Sequence, residues 1–500
     1  MNSFLNQMID NTNYINTENG GITHKTTKSA VLDMFALCGS YRNRSDADCI
    51  LAFKNALEEN KSLALKCLFY LRDCRGGQGE RRFFRVCYKW LAENDAKLAA
   101  RNLDNISEFG RWDDLIYVTV DTPLQNDAFS IVKKQFALDA ECKTPSLLAK
   151  WMPSENASSR ETKRVANELR EYLNMTHKQY RKILSMLRSR INIVEKLMSE
   201  GRWDEIEFDK MPSKAGLKYK NAFARRDLIA KKYEAFAKDK STKVNAAVLN
   251  PVDIAHKCFA YGHKSDTDIA MLEKYWENLK DYYNGNIENG LCIVDTSGSM
   301  SGTPIEAAVS MGAYIAERGH GPFANHFVTF SSDPRLVKFE GVNIVDKFDR
   351  VRRRSDWGGT TNIEAVFDML LTTAKAQNVK PEDMPSRLYI FSDMEFNGCV
   401  GFGARSTSRW GCDYTPYNEN NISTELERIA QKWAAAGYSL PPVIFWNLDA
   451  RNDNIPALGG RFSYVSGFNM NMVETILSGK DGYDLMLAKL NSDRYSCVTI

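Results

Sequence analysis

The chain reads as a multidomain protein of α and α/β class, an all-α front followed by a doubly wound α/β rear. Three observations predict this. From about Thr23 to about Tyr283 apolar residues recur at i, i+3, i+4 and i+7, prolines are rare and strand-like runs are nearly absent, the pattern of successive amphipathic helices. From about Ile287 short apolar runs alternate with helical ones, as in a mostly parallel sheet covered by helices on both faces. The run Leu291–Val294 ends in Asp295, Ser297 and Ser299, oxygen-bearing side chains at the carboxyl end of a strand, where open α/β sheets bind ligands.

At roughly 100–200 residues per domain, a chain of 500 residues holds about two to four domains. We place an arm over 1–22, a helical-repeat domain over 23–286 and an α/β domain over 287–500. The first residues, MNSFLNQMIDNTNYINTENG, are polar and carry no secretory pattern. No apolar run reaches the ~18 residues of a membrane span, so a cytoplasmic protein without a membrane partner is expected. The 11 Cys show no C-x-x-C spacing. Cys399 and Cys412 share one loop and could pair or bind metal, but free thiols in a reducing compartment are the simpler reading. With 6 His and no H-E-x-x-H, a zinc enzyme is unsupported.

Net charge is +3 but unevenly placed. Lys150–Lys240 holds 22 Lys and Arg against 13 Asp and Glu, a net +9, whereas Gly285–Ile500 holds 20 against 25, a net −5. A basic front and a mildly acidic rear suggest that the front meets an anionic partner.

In the front, SAVLDMFALCGSY, ADCILAFKNALEENKSLALKCLFYLRD and RRFFRVCYKWLAEN each carry the helical period, and short loops between such helices build an α-solenoid. EFGRWDDLIYV (Glu108–Val118) is echoed by SEGRWDEIEFD (Ser199–Asp209). Trp112 and Trp203 are expected to anchor packing, with Asp113 and Asp204 capping helices. Two surfaces are candidates for anion binding. Arg72, Arg75, Arg81, Arg82 and Arg85 surround Gly76-Gly77-Gln78-Gly79, either a turn whose amides and guanidinium groups meet a phosphate or an interhelical turn with Arg72 and Asp73 in structural ion pairs. The G-K-[ST] ending of a P-loop is missing. Lys150, Arg160, Lys163, Arg164, Arg181 and Lys182 form the second, with Trp151 and Tyr180 interleaved, although such rings are more often core residues. Cations for the backbone and rings for the bases are what single-stranded RNA binding uses.

In the rear, LCIVD, HFVTFSS, RLVKFE, RLYIFSD, PPVIFWNLDA and FSYVSGF read as strands. TPIEAAVSMGAYIAERG, NIEAVFDMLLTTAKA, STELERIAQKWAAAG and NMVETILSG read as helices. The aperiodic segment Asn397–Asn421 follows Asp393 and would overhang the strand ends. Arg352-Arg353-Arg354 lies just before Gly358-Gly359-Thr360-Thr361-Asn362 and could orient an acidic partner. Oxygen side chains thus recur at strand ends in the order Asp295/Ser297/Ser299, Thr360 or Thr361, Asp393, a set suited to a hard cation such as Mg²⁺.

That order resembles the metal-ion-dependent adhesion site of a von Willebrand factor A domain. The resemblance implies that Ser297, Ser299 and a threonine bind Mg²⁺ directly and that Asp295 and Asp393 act directly or through water. One coordination position stays open for a partner's acidic side chain. The family's Thr followed by Asn favours Thr361 and the Gly-Gly-Thr spelling favours Thr360; the usual spacing into the helix makes Thr361 the expected ligand. LRDCRGGQGERR (Leu71–Arg82), FGRWDDL (Phe109–Leu115), LLAKWMPSENASSRETK (Leu147–Lys163), YRKILSMLRSRINIVEKLMS (Tyr180–Ser199), FSDMEF (Phe391–Phe396) and VIFWNLDA (Val443–Ala450) look like a two-part family with a helical-repeat front and a von Willebrand factor A rear. This family is distantly similar to the Ro ribonucleoprotein and its TROVE module, whose HEAT-like helices form a ring. By that likeness the helices hold small non-coding or misfolded RNA, including single-stranded ends, and the A domain presents the metal to a protein partner.

No catalytic set emerges: metal-bound hydroxyls are not nucleophiles in this fold, and no base or paired-carboxylate signature accompanies them. The expectation is a non-enzymatic RNA-binding protein. The alternative is a metal-dependent interaction scaffold or assembly protein, virion-associated in one form, that binds no RNA.

Overall fold

A computed structural model describes residues 13–191, 193–246, 248–354, 357–398 and 423–500. Cys399, Cys412 and the segment from 399 to 421 lie outside the described residues, as does the first part of the 1–22 arm. The described residues form two compact units, each discontinuous in sequence. One comprises Ser45–Asn250, Gly262–Lys280 and Leu490–Ile500; the other comprises the described parts of Met1–Arg44, Pro251–Tyr261 and Asp281–Lys489. The spatial division therefore differs from colinear boundaries at 22/23 and 286/287: residues 23–44 and 251–261 pack with the sheet, and 490–500 with the helices.

The first unit is helical, and among its described residues no strand occurs. Several of its helices start where short polar side chains satisfy the free amides of a first turn. Ser45 and Asp48 form a capping box on Asp46–Glu59, and Asn60 accepts from Leu63 N to start Lys61–Arg72. The periodic stretch ADCILAFKNALEENKSLALKCLFYLRD is thus two helices. Arg82–Asn94 follows, and Phe69, Phe84, Tyr88 and Phe109 pack edge-on or tilted with centroids 5.3–5.9 Å apart. Tyr495, from the carboxyl-terminal segment, stacks on Phe109 at 5.5 Å. Gln125–Glu141, Arg160–Tyr172, His177–Arg190, Ser213–Ala224, Asp227–Lys238 and Asp266–Glu277 continue the unit.

The second unit opens with a short antiparallel pair, β1 (Tyr14–Asn16) and β2 (Ile22–His24). Its main sheet holds β3 (Gly290–Asp295), β4 (His326–Phe330), β5 (Arg335–Lys338), β6 (Arg387–Ser392), β7 (Val443–Asn447) and β8 (Phe462–Ser466). The order is β5-β4-β3-β6-β7-β8, with β5 antiparallel at one edge and every other pairing parallel. β6 and β7 are buried at every residue, which is why they read as unbroken apolar runs rather than alternating ones. The helix Thr303–Arg318 lies tight against β3: a Cβ on Gly312 would meet Val294 Cγ2 at 2.5 Å. Among the described residues no helix is long and apolar enough to cross a membrane.

Candidate functional site

β3 and β6 are neighbours, yet β3 is followed by β4 on one side and β6 by β7 on the other. The winding reverses between them, which opens a crevice at their carboxyl ends. Asp295 is the last residue of β3 and Asp393 the first after β6, so the two carboxylates flank this switch point. Asp295 is fully buried. It accepts from Ser297 N at 2.9 Å and from the Ser392 hydroxyl at 2.5 Å. Burial, reinforced by the charge of Asp393, pushes its carboxyl well above the usual carboxylate range. Ser297 and Ser299 face each other with their hydroxyl oxygens 3.0 Å apart.

Thr361 is buried whereas Thr360 is exposed, which puts Thr361 with the interior groups. Its loop is pinned to both strand ends: Gly358 N donates to Thr296 O at 2.8 Å, Gly298 N to Gly359 O at 3.3 Å and Asn397 N to Thr361 O at 2.9 Å. Asn19 Nδ2 donates to Glu395 O at 2.5 Å and lies 3.4 Å from Thr361 Oγ1. Arg451 Nη2 donates to Asp393 Oδ2 at 2.6 Å, and the same guanidinium lies 3.3 Å from Glu18 and 4.0 Å from Asp449. Sequence reasoning missed Ser392, Arg451 and Asn19: nothing in their spacing marks them, and they arrive through strand order and the folding back of the amino-terminal segment. Among the described residues no group of three or more His, Cys, Asp or Glu is gathered to hold a metal, so a cation at the switch point would rely on the hydroxyls. Arg352, Arg353 and Arg354 end the helix Ile344–Arg354, with Arg353 paired to Asp349 and Arg354 3.5 Å from Glu340.

In the helical unit the Gly turn takes the structural of its two readings. Gly77 N and Gly79 N donate to Asp73 O and Gln78 N to Tyr70 O, while Arg75 N and Gly76 N donate to the Asp73 carboxylate. The anion this turn holds is Asp73 itself, clamped as well by Arg494 and by the Tyr495 hydroxyl at 3.0 Å. Gly77 is required because a Cβ there would lie 1.9 Å from Tyr70 O. Arg72 is 3% exposed and donates from Nε and Nη2 to Asp114 at 2.9 and 2.6 Å. It is a structural ion pair and no phosphate contact. Arg75 donates to Glu108 O at 2.6 Å, and Arg82 pairs with Asp46.

Arg160, Lys163, Arg181 and Lys182 are exposed. Arg164 is held by three carboxylates, Asp121, Glu161 and Glu168, at 2.5–2.7 Å, so its single charge is more than balanced locally and leaves no surplus for an anionic partner. Tyr180 is a core residue, fully buried with its hydroxyl donating to Pro153 O at 2.8 Å; it cannot stack on a base. Trp151 is half-buried, with Arg111 stacked on it at 3.9 Å and Lys150 at 5.4 Å. Arg111, from the first Gly-Arg-Trp-Asp, therefore bridges the two basic stretches, which sequence spacing did not reveal. Asp114, not Asp113, caps Trp112–Thr119, accepting from Arg111 N at 3.0 Å. The second copy folds differently: Trp203–Glu205 is a single 3-10 turn with Arg226 stacked on Trp203 at 4.1 Å.

A helical unit carried on one chain with a parallel-rich α/β unit whose switch point gathers carboxylates and hydroxyls defines the class of protein. The chain belongs to the family described as "Domain of unknown function (DUF2828)", which matches residues 17–136 and 133–283. "Domain of unknown function (DUF7788)" matches 289–493. The uncharacterized protein L728 of Acanthamoeba polyphaga mimivirus is 31% identical over 509 aligned residues, covering 93% of this chain and 85% of the viral protein. The crystal structure of the Deinococcus radiodurans RO (RSR) protein aligns over 91% of this chain and 100% of that one, at 14% identity and a TM-score of 0.39.

Proposed function

We propose that this is a non-enzymatic RNA-binding protein of Ro-like architecture. In this reading a HEAT-like helical unit holds single-stranded or structured RNA, and a von Willebrand factor A unit presents Mg²⁺ to an acidic side chain of a protein partner. The observation that carries the RNA reading is the exposed cationic set Arg160, Lys163, Arg181 and Lys182 within a stretch of net +9. These side chains could neutralise phosphates, and phosphate neutralisation contributes most of the affinity of proteins for nucleic acids.

The residues at the switch point fit a hard cation. Two carboxylates, Asp295 and Asp393, crowd one buried crevice, and three hydroxyls, Ser297, Ser299 and Thr361, complete a set of oxygen donors. Mg²⁺ favours such donors and keeps open positions for further oxygens; bound there, it would supply a Lewis-acidic contact for a partner's carboxylate. The second reading, an interaction scaffold without RNA affinity, is favoured by this same crevice. Titrating purified protein with labelled single-stranded RNA separates them. Binding that is lost on reversing the four exposed cations supports the first; absence of RNA binding, with a Mg²⁺-dependent protein partner, supports the second.

A further inference from the structure

We infer that Arg81, Arg85 and Arg111 form a site for the terminal phosphate monoester of an RNA strand, with Tyr117 positioned to stack the adjoining base. The inference rests on the RNA reading and deepens it by naming which chemical group of the strand this site takes. Arg85 and Arg111 both donate to Asp113 Oδ2, at 2.9 and 2.5 Å, and Arg85 also reaches Asp114 at 2.6 Å. Asp114 is further occupied by Arg72 Nε and Nη2. Three guanidinium groups therefore meet two carboxylates whose oxygens are already engaged, and Arg81 adds a fourth positive charge one helical turn before Arg85, whose N donates to Arg81 O at 3.0 Å.

The Arg81 guanidinium has no hydrogen bond or ion pair among the described residues, and the residue is exposed. Desolvation by the packed groups beside it and the like charges of Arg111 and Arg85 weigh against its charged form and outweigh the pull of Asp113 and Asp114. Glu80, beside it in sequence, accepts from the amides of Arg82 and Phe83, at 2.9 and 3.4 Å, and so caps the helix. An added anion relieves this crowding, and guanidinium groups bind phosphate oxygens bidentately.

The surplus of two positive charges suits a phosphate monoester, which carries about −1.5 to −2 at neutral pH, better than a carboxylate or a phosphodiester. The flanking rings point to a nucleotide. Arg111 lies over Trp151 at 3.9 Å and Arg85 over Tyr117 at 4.5 Å, and Tyr117 is 49% exposed. An exposed ring beside a phosphate site is the usual support for an unpaired base.

The test is a fluorescence-anisotropy titration of the full chain. The probes are one single-stranded RNA carrying a 5′-phosphate, a 3′-phosphate or hydroxyls at both ends. One phosphorylated strand is expected to bind about tenfold more tightly than the hydroxyl strand, the effect of one added charged contact. Arg81→Ala erases that preference, whereas Lys182→Ala lowers affinity for all strands and leaves it intact. Equal binding of the three strands, or a preference that survives Arg81→Ala, overturns the inference while the RNA reading stands. If no strand binds, the RNA reading fails, and thermal denaturation with adenosine monophosphate decides the site. A stabilisation in the wild type that is absent in Arg81→Ala supports it. No stabilisation, or an equal one with O-phosphoserine, overturns it.

Discussion

Arg451 places Nη2 2.6 Å from Oδ2 of Asp393, a carboxylate with no exposed surface. The acid that follows β6 is thus already satisfied by a cation from the loop after β7, and any divalent ion at the switch point competes with that guanidinium. Arg451→Ala leaves a buried carboxylate uncompensated. Because Arg451 is itself 30% exposed, the expected cost is about 2 kcal/mol, below the full value for a buried pair. Mg²⁺ should restore most of the loss and bind more tightly than in the wild type. Thermal denaturation with and without Mg²⁺ checks this, and an Arg451→Ala protein indifferent to Mg²⁺ would contradict it.

Asp73 makes helical-unit stability sensitive to acid. Burial disfavours its charge, but Arg494 and the amides of Arg75 and Gly76 outweigh burial and hold its carboxyl below the usual range. A folded-state value below the unfolded one means the stabilisation is present above about pH 4 and is lost as pH falls through the folded value. Asp73→Asn should therefore cost about 2–3 kcal/mol at neutral pH, and its gap from the wild type should close below about pH 4. Urea unfolding across pH measures both.

Gly77 tests the reinterpreted glycine turn. A methyl group there overlaps the Tyr70 carbonyl oxygen, backbone that cannot rotate away. Gly77→Ala is expected to lose about 3 kcal/mol or more. Gly79 has φ +70° but only one neighbour within 4 Å, at 3.8 Å, so Gly79→Ala should cost about 1 kcal/mol through backbone strain alone. Comparable losses at the two positions, measured by chemical unfolding, would count against the turn geometry.

Much of the architecture was legible in the sequence because periodicity reports burial directly. The runs at Leu291–Val294, Arg387–Ser392 and Val443–Asn447 read as strands since both faces are covered, and the helical period of the front comes from one-sided packing. Asp295 and Asp393 were legible as a pair only through the strand-end pattern; their convergence depends on β3 and β6 being adjacent, which spacing cannot state. The failures share one cause. Residue type alone leaves Arg72 and Tyr180 open between binding and structure and marks Arg164 as a binding cation; Asp114, Pro153 and Glu168 decide among these, and they lie 42, 27 and 4 residues away in the chain. Arg111 was passed over because its value lies in stacking on Trp151, a tertiary contact. The capture of Leu490–Ile500 by the helical unit rests on Arg494 and Tyr495 meeting Asp73, and no local pattern announces it.

RNA affinity as a function of salt is the measurement to make first, with the intact chain and a labelled single-stranded RNA. Contact with six to ten phosphates gives a slope of roughly −4 to −9 in log K against log salt. Replacing Arg160, Lys163, Arg181 and Lys182 by Glu should flatten that slope and abolish tight binding, whereas Arg164→Glu should do little beyond breaking its own ion pairs. A folded protein that binds no RNA, or binds it with a salt dependence these four substitutions leave unchanged, would contradict RNA binding by the helical unit.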